Sequence, residues 1–321
     1  MTFSVLIPAY NAASTIKATL ESVLSQTVPP EEILIFDDGS KDNTSAILES
    51  YKSRIILFRD SNHGCSYARN YMGHHARGDI LAFLDSDDLW HPCYLETQKK
   101  MIDRYPSAVA YYTEHEDIVG LGEFKWPAVV DFQAITPEVI QPVDLLRRSN
   151  QTPLIFPMCG CCVPRHVFSQ LGPEPFKVNG AEDTFFHALL ALQGPVVHTS
   201  AKPVVYRIID GSSSSNRLKV SLDILEVFKF LEDIYKDKAD LELYRMFRYI
   251  HAARRRNCAK YLMGSGRILD ARAQFRASMK DNSDPLSLLK SLALLFLSFM
   301  PKEFQPKWPH SLRQVKHPEL H

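Results

Sequence analysis

The spacing of apolar positions changes several times along this chain, and the changes divide it. Through the first half, short continuous apolar runs predict buried strands at Phe3–Ile7, Ile33–Asp37, Arg54–Phe58, Ile80–Leu84 and Ala108–Thr113. Between them the spacing is helical. Ala13, Ile16, Leu20, Val23 and Leu24 share one helix face, and Ala68, Tyr71, Met72 and His75 share another. Tyr94, Leu95, Gln98, Met101 and Ile102 form a third, with Pro92 suited to its first turn. This alternation predicts an α/β fold: a mostly parallel central sheet flanked on both faces by helices.

Between Gly120 and Pro157 the pattern loosens, and loop with short excursions is expected. Met158–Val163 reads as a strand. Within it, Cys159-Gly160-Cys161-Cys162 lacks the paired spacing of a zinc site and reads as small side chains of a buried strand. A helix is expected from about Glu182 to Gln193, stopped by Gly194-Pro195, with extended chain over Pro195–Ile209. The polar tract Gly211–Asn216 marks a boundary, giving a first domain over 1–216 and an all-helical extension over 217–321. In the extension, Leu222, Leu225, Phe228 and Leu231 form one amphipathic face, and Tyr244, Phe247 and Ile250 begin another. Ala259, Leu262, Gly266, Ala271 and Phe275 loosely resemble a single tetratricopeptide-like hairpin. Leu286–Met300 is strongly apolar but short of the roughly 20 residues of a membrane span, so a buried or interfacial helix is expected.

Composition adds little until it is resolved along the chain. The 37 Lys and Arg balance 37 Asp and Glu, so no global field points to nucleic acid. Between Leu241 and Lys280, however, Arg245, Arg248, Arg254, Arg255, Arg256, Lys260, Arg267, Arg272, Arg276 and Lys280 face only Glu242 and Asp270. That stretch reads as a solvated helix face or as a docking surface for an anionic membrane or partner. Six cysteines fit reduced thiols. With the first strand beginning at Phe3 there is no room for a secretory leader, so a cytoplasmic location is expected.

The chemistry gathers where predicted strands end. Ile80–Leu84 runs into Asp85-Ser86-Asp87-Asp88, three carboxylates with only Ser86 interposed. In an open parallel sheet, ligands bind outside the carboxyl ends of the strands. Carboxylates on a short turn there suit a hard divalent cation, and one of them together with a bound phosphate can hold such an ion. The plainer alternative is a solvated acidic turn capping the helix near Pro92. Val5–Asn11 and Ile33–Ser40 likewise run from strand into turn, the second ending in Asp37-Asp38-Gly39. Asn62–Asn70 is a turn leading into a helix, and Gly180–Phe186 carries Glu182-Asp183 at a predicted helix start.

Taken in order, IPAYN at Ile7–Asn11, DDGSKDNT at Asp37–Thr44, ARN at Ala68–Asn70, LDSDD at Leu84–Asp88 and ED at Glu182–Asp183 resemble the inverting family 2 glycosyltransferases of the GT-A (Rossmann-like) fold. The resemblance covers roughly residues 1–216. It implies a nucleotide-sugar side over 1–115, an acceptor side over 116–216, and transfer with inversion from a UDP-linked donor to a glycan or lipid-linked acceptor. Pro8, Ala9 and Tyr10 would line the base and ribose pocket, and Asp38 would accept the uracil imide N–H, a role compatible with an Asx turn before Gly39. Asp85 and Ser86 would contact the donor, and Asp87 would ligate Mn²⁺ or Mg²⁺ on its diphosphate. Asp88 is open between this site and a helix cap. Arg69 either faces the nucleotide or pins its helix to the acidic turn. Asp183 would be the general base and Glu182 a holder of an acceptor hydroxyl. Acids at a helix start are also stabilised by its dipole alone.

One departure stands out. Members often show Tyr-Arg-x-His-x-x-Ser, where this chain reads Tyr206-Arg207-Ile208-Ile209-Asp210-Gly211-Ser212. Ile209 cannot ligate, and His187 and His198 read as core or surface histidines rather than replacements. The alternative function is therefore a catalytically weak or inactive nucleotide- or glycan-binding pseudoenzyme. A dinucleotide dehydrogenase is excluded because no GxGxxG follows the first strand. The basic helices and the Leu286–Met300 run suggest peripheral docking at the inner membrane face; a homodimer interface would account for the same features.

Overall fold

The apolar runs form strands because both of their faces are covered. In order, residues 1–209 form β1 (Phe3–Ala9), α1 (Ile16–Leu24), β2 (Glu32–Asp37), α2 (Thr44–Ser50), β3 (Ile56–Arg59), α3 (Cys65–His75), β4 (Ile80–Phe83), β5 (Leu89–Trp90) and α4 (Tyr94–Arg104). There follow β6 (Tyr111–Thr113), β7 (Glu116–Val119), β8 (Glu138–Ile140), α5 (Pro142–Ser149), β9 (Cys161–Pro164), α6 (Arg165–Gln170), α7 (Glu182–Ala191), β10 (Val196–Thr199) and β11 (Val204–Ile208). The computed structural model describes residues 1–121, 124, 126, 137–149, 156–209, 216–281 and 284–309. The chain divides into two units, Met1–Ile209 and Asp210–His321.

Eight strands form the main sheet in the order β3-β2-β1-β4-β9-β6-β10-β8. β3, β2, β1 and β4 are parallel neighbours, whereas β9 and β8 pair antiparallel to theirs. Alternate residues face opposite sides of a sheet. Val5, Ile7, Ile33 and Ile35 share one core with Ile16, Leu20 and Val23 of α1 and Tyr94, Met101 and Ile102 of α4. On the other side Phe36 meets Tyr67 and Tyr71 of α3, and Phe83 meets Phe168, Phe176 and Phe186. A three-stranded second sheet, β5-β11-β7, lies beyond β4 in the chain. Chain order reverses about β1, with β2 and β3 on one side and β4 on the other, so the crevice expected of such a sheet opens at the carboxyl ends of β1 and β4.

The structure amends several expectations. Met158–Gly160 is a short 3₁₀ turn, and the strand begins at Cys161. The cysteine cluster is buried and unbridged as expected. In the loosely patterned stretch the described residues include β8 and α5, too short for a period to register, and β7 ends just before it; the rest of Gly120–Pro157 lies partly outside the described residues.

The second unit contains α8 (Arg217–Lys238), α9 (Leu241–Gly264), α10 (Ile268–Lys280) and α11 (Pro285–Leu297). The sequence marks three helix starts with side-chain caps: Asn216, Asp240 and Asp284 accept from the backbone N–H groups of Lys219, Leu243 and Ser287. Leu225, Ala259, Leu262, Ala271 and Phe275 pack into one cluster.

Candidate active site

Two loops are stapled together beside β1. Asn11, held at φ +49°, donates its backbone N–H to Ser40 Oγ (3.0 Å) and accepts from Lys41 N (2.8 Å). Ala12 N donates to Thr44 Oγ1 (2.7 Å) and Ala13 N to Asp42 Oδ2 (3.0 Å). The motifs at Ile7–Asn11 and Asp37–Thr44 are therefore one wall of the crevice. Asp37 lies wholly buried; burial raises its carboxyl, but hydrogen bonds from Ser45, Ser40 and Arg59 outweigh that and hold it below its ordinary value. Asp38 Oδ1 accepts from His63 N (2.7 Å) and Oδ2 from Gly64 N (2.8 Å), fixing the turn into α3. Each carboxylate oxygen retains a second lone pair, so the turn role leaves Asp38 acceptor capacity to spare. Pro8 and Ala9 lie at the strand end, and the Tyr10 ring is half exposed beside them.

The start of α3 depends on a residue that sequence reading missed. Asn179 Oδ1 accepts from Ser66 N (3.0 Å) and its amide donates to His63 O (3.3 Å), capping the helix from more than a hundred residues away. The signal was a turn, Val178 and Gly180 both at positive φ, but nothing local names its target. Gly64 sits at φ +91°, and a Cβ there would lie 2.0 Å from Asn179 Nδ2. Gly64→Ala is expected to destabilise the unit by about 1–3 kcal/mol from backbone strain alone. Thermal or urea unfolding of the variant checks this, and an unchanged midpoint would refute it.

Arg69, 4% exposed, links the acidic turn to the start of α7. Its guanidinium binds Asp85 Oδ1, donates to Glu182 Oε1 (2.9 Å) and lies 3.7 Å from Asp183 Oδ1. Of the two roles open to Arg69 in the sequence, this geometry displays the pinning one. Glu182 is tied down as well, accepting from Cys65 Sγ (3.0 Å) and Gly180 N (2.6 Å). Burial raises the Glu182 carboxyl, yet Arg69 and these hydrogen bonds bring it below its ordinary value. Asp183 differs. Its Oδ1 is buried without a hydrogen bond, although 29% of the side chain is accessible. Burial, then the charge of Glu182, pushes its carboxyl up to about 8 against the opposing pull of Arg69. A carboxylate made proton-avid at the mouth of a cleft is suited to general-base work.

The acidic turn joins the last residue of β4 to β5, where the chain leaves the main sheet for the small one. Asp88 does not cap the following helix: α4 begins at Tyr94 without a side-chain cap. Instead Asp88 Oδ1 accepts from Arg207 N on β11 (2.9 Å), because β5 and β11 are paired neighbours. Thr19 Oγ1 approaches the carbonyl oxygens of Ser86 and Asp88, both at 3.0 Å, and holds the turn to α1. Asp85 is engaged by Arg69 and Asp88 by β11, which leaves Asp87. Burial and then Asp85 push its carboxyl up to about 6, with weaker opposition from Arg207 and Arg69. Arg207, prominent only as part of the departing motif, is thereby brought beside this turn. His187 is a core residue, packed on Tyr112 and Phe156, and His198 is buried against Phe156. Ile209 is partly buried, and Asp210 lies outside the described residues.

Among the described residues no three His, Cys, Asp or Glu side chains converge as a complete metal cage. The residues present fit a different kind of site. Mg²⁺ and similar hard cations are commonly held by one or two carboxylates with the remaining ligands from substrate phosphate and water. A part-buried Asp87 with a raised pKa, beside a second carboxylate, is a donor that a cation would stabilise.

Comparison with known proteins bears on this geometry. The chain is 43% identical over 245 residues to TuaG of Bacillus subtilis (strain 168), a glycosyltransferase named for teichuronic acid biosynthesis, covering 74% of this chain and 90% of TuaG. It is 39% identical over 137 residues to the Escherichia coli UDP-Glc:alpha-D-GlcNAc-diphosphoundecaprenol beta-1,3-glucosyltransferase WfaP, covering 41% of this chain and 54% of WfaP, so it spans only about half that relative. The crystal structure of S. aureus TarS 1-349 superposes with a TM-score of 0.64 at 18% identity, over 93% of this chain and 89% of that one, a likeness of GT-A fold. The model for glycosyl transferase family 2 matches residues 4–170. A crevice at the ends of β1 and β4, walled by the stapled loops and floored by the carboxylate–Arg69 network, thus belongs to a chain that is a member of glycosyl transferase family 2.

Proposed function

We propose that this chain transfers one sugar, with inversion, from a UDP-linked donor to a glycan or lipid-linked acceptor. The observation that carries the reading is the Arg69 network. It draws the acidic turn and the start of α7 around a single guanidinium, and the carboxyls of Asp87, Asp88 and Asp183 are driven upward, chiefly by burial. Asp88 is spent on the backbone of β11, which leaves Asp87 and Asp183 for the chemistry. Groups with shifts of this kind in a cleft mark functional sites. Relatives support the donor and acceptor classes: WfaP is named for a UDP-glucose donor and a diphosphoundecaprenol-linked acceptor, and TarS 1-349 was solved with UDP.

In this reading Pro8, Ala9 and Tyr10 line the base and ribose pocket, and Asp38 accepts the uracil imide N–H through its remaining lone pairs. Asp85 and Ser86 contact the donor, with Asp85 aimed by Arg69. Asp87 holds Mn²⁺ or Mg²⁺, which when bound neutralises charge on the diphosphate as the sugar departs. Asp183 takes the proton of the acceptor hydroxyl on the face opposite the leaving group. Glu182, whose oxygens serve Arg69, Cys65 and Gly180, keeps Asp183 in place and raises its basicity; any contact with the acceptor would be an additional role.

Calorimetry with UDP in the presence and absence of Mn²⁺ tests the donor half. Wild type is expected to bind UDP in a Mn²⁺-dependent manner, and Asp87→Ala to lose that dependence, with affinity falling on the order of 10–100-fold for a lost ligand-sphere group. Equal Mn²⁺-dependent binding by the variant would remove Asp87 from the site. Absence of nucleotide binding in wild type would favour the pseudoenzyme reading, to which Ile209 points.

A further inference from the structure

In the second unit α11 packs Leu294 and Leu295 against the core cluster, yet it buries a serine stripe and leaves a row of large apolar side chains outside. Its serines Ser287 and Ser291, with Ser298 just beyond, are at most 1% exposed. Leu286, Leu289, Leu292 and Phe296 are 70%, 60%, 46% and 69% exposed, and Phe299 is 55% exposed. A surface helix ordinarily does the reverse. The inward stripe is held by specific bonds. Ser278 Oγ donates to Ser291 Oγ (2.9 Å), and Arg256 Nη1 donates to the same oxygen (3.2 Å) and lies 3.5 Å from Ser287 O. Arg272 donates to Ser298 O (2.7 Å) and Oγ (3.3 Å). Rolling the helix to bury its exposed leucines would strip the buried Arg256 and the part-buried Arg272 of these partners, and buried unpaired charge is heavily penalised. The outward apolar face is therefore enforced by the fold.

We infer that this face seats in the surface of an anionic phospholipid bilayer. Charge selects that occupant. Residues 210–321 hold 20 Lys and Arg against 13 Asp and Glu, an excess of 7, whereas residues 1–209 hold 17 against 24, a deficit of 7. Across Pro285–Met300 the lone charged residue is Lys290, which is exposed, and no acid interrupts the apolar face. A second copy would bring the same positive field to the interface and be repelled. An anionic leaflet attracts it, and the leucines and phenylalanines bury in the acyl boundary. No helix of the described residues is long and apolar enough to cross a membrane, so α11 lies in the surface plane. The inference does not depend on the sugar-transfer reading, and failure of either leaves the other standing.

Co-sedimentation of the full chain with phosphatidylcholine vesicles, with or without phosphatidylglycerol, tests it. Wild type is expected to bind the phosphatidylglycerol vesicles, not pure phosphatidylcholine, and to be released by salt. The Leu289→Glu/Phe296→Glu variant is expected to partition at least about ten-fold less, with unchanged far-UV circular dichroism and unchanged UDP binding. Three results would overturn the proposal: no vesicle binding by wild type, equal binding to neutral vesicles, or a variant that binds as wild type does. A wild-type dimer that the variant dissociates, with no vesicle binding, would assign the face to a second copy instead.

Discussion

Asp183→Asn is expected to lower kcat by about 10²–10⁴-fold, the usual contribution of a positioned general base. UDP binding in the presence of Mn²⁺ should persist, because the amide keeps the shape at the start of α7 and the donor groups lie on other elements. The pH profile supplies a readout that a purely structural role would not move. A base must be deprotonated to act, and the Asp183 carboxyl is pushed up to about 8 by burial and by Glu182. Wild-type kcat/KM should therefore climb with pH through a limb above the ordinary carboxylate range. In Asp183→Asn the residual rate should lack that limb. A variant with wild-type turnover, or a limb that survives the substitution, would assign the base elsewhere.

The second large effect concerns Arg69. Arg69→Met keeps the volume of the stem but removes the charge facing Asp85, Glu182 and Asp183. Breaking a buried pair by removing one partner typically costs about 3–5 kcal/mol, and denaturant unfolding at neutral pH should show a loss of that order. The pH dependence has a definite sign. Glu182 is held below its ordinary value in the folded state, burial notwithstanding, chiefly by Arg69. The stabilisation from that pair is present above the carboxylate pKa of the unfolded chain and fades as pH falls through the lower folded value. The deficit of Arg69→Met should accordingly shrink in acid. A deficit independent of pH would mean that Arg69 contributes packing, such as its contact with the Phe176 ring, rather than charge.

The parts of the site that were legible are those whose position follows from a strand end. β1, β2 and β4 are buried on both faces, so their apolar runs stand out, and the residues that follow them must emerge at one edge. The sequence placed Asp38, Asp85 and Asp87 just past β2 and β4 on that ground, and the structure has them there. Asn179 was not, because capping a helix more than a hundred residues away leaves no local pattern. For Asp88 the sequence offered the donor site or the nearest helix start, and neither reading named β11: the pairing of β5 with β11 brings the Arg207 backbone to its carboxylate.

The C-terminal unit shows the same division. Apolar spacing alone placed helices after residue 216, and the structure adds the caps at Asn216, Asp240 and Asp284 that start three of them. Which side of α11 faces inward could not be read, since hydrophobicity points its leucines to the core. Buried Arg256 and part-buried Arg272 decide otherwise by binding the serine stripe. What the linear chain determines here is periodicity: where strands and helices form, and that acids follow β4. Tertiary structure alone decided which of those acids are engaged by Arg69 and by β11 and which is not. Charge pairing depends on distance through space, and sequence order does not encode it.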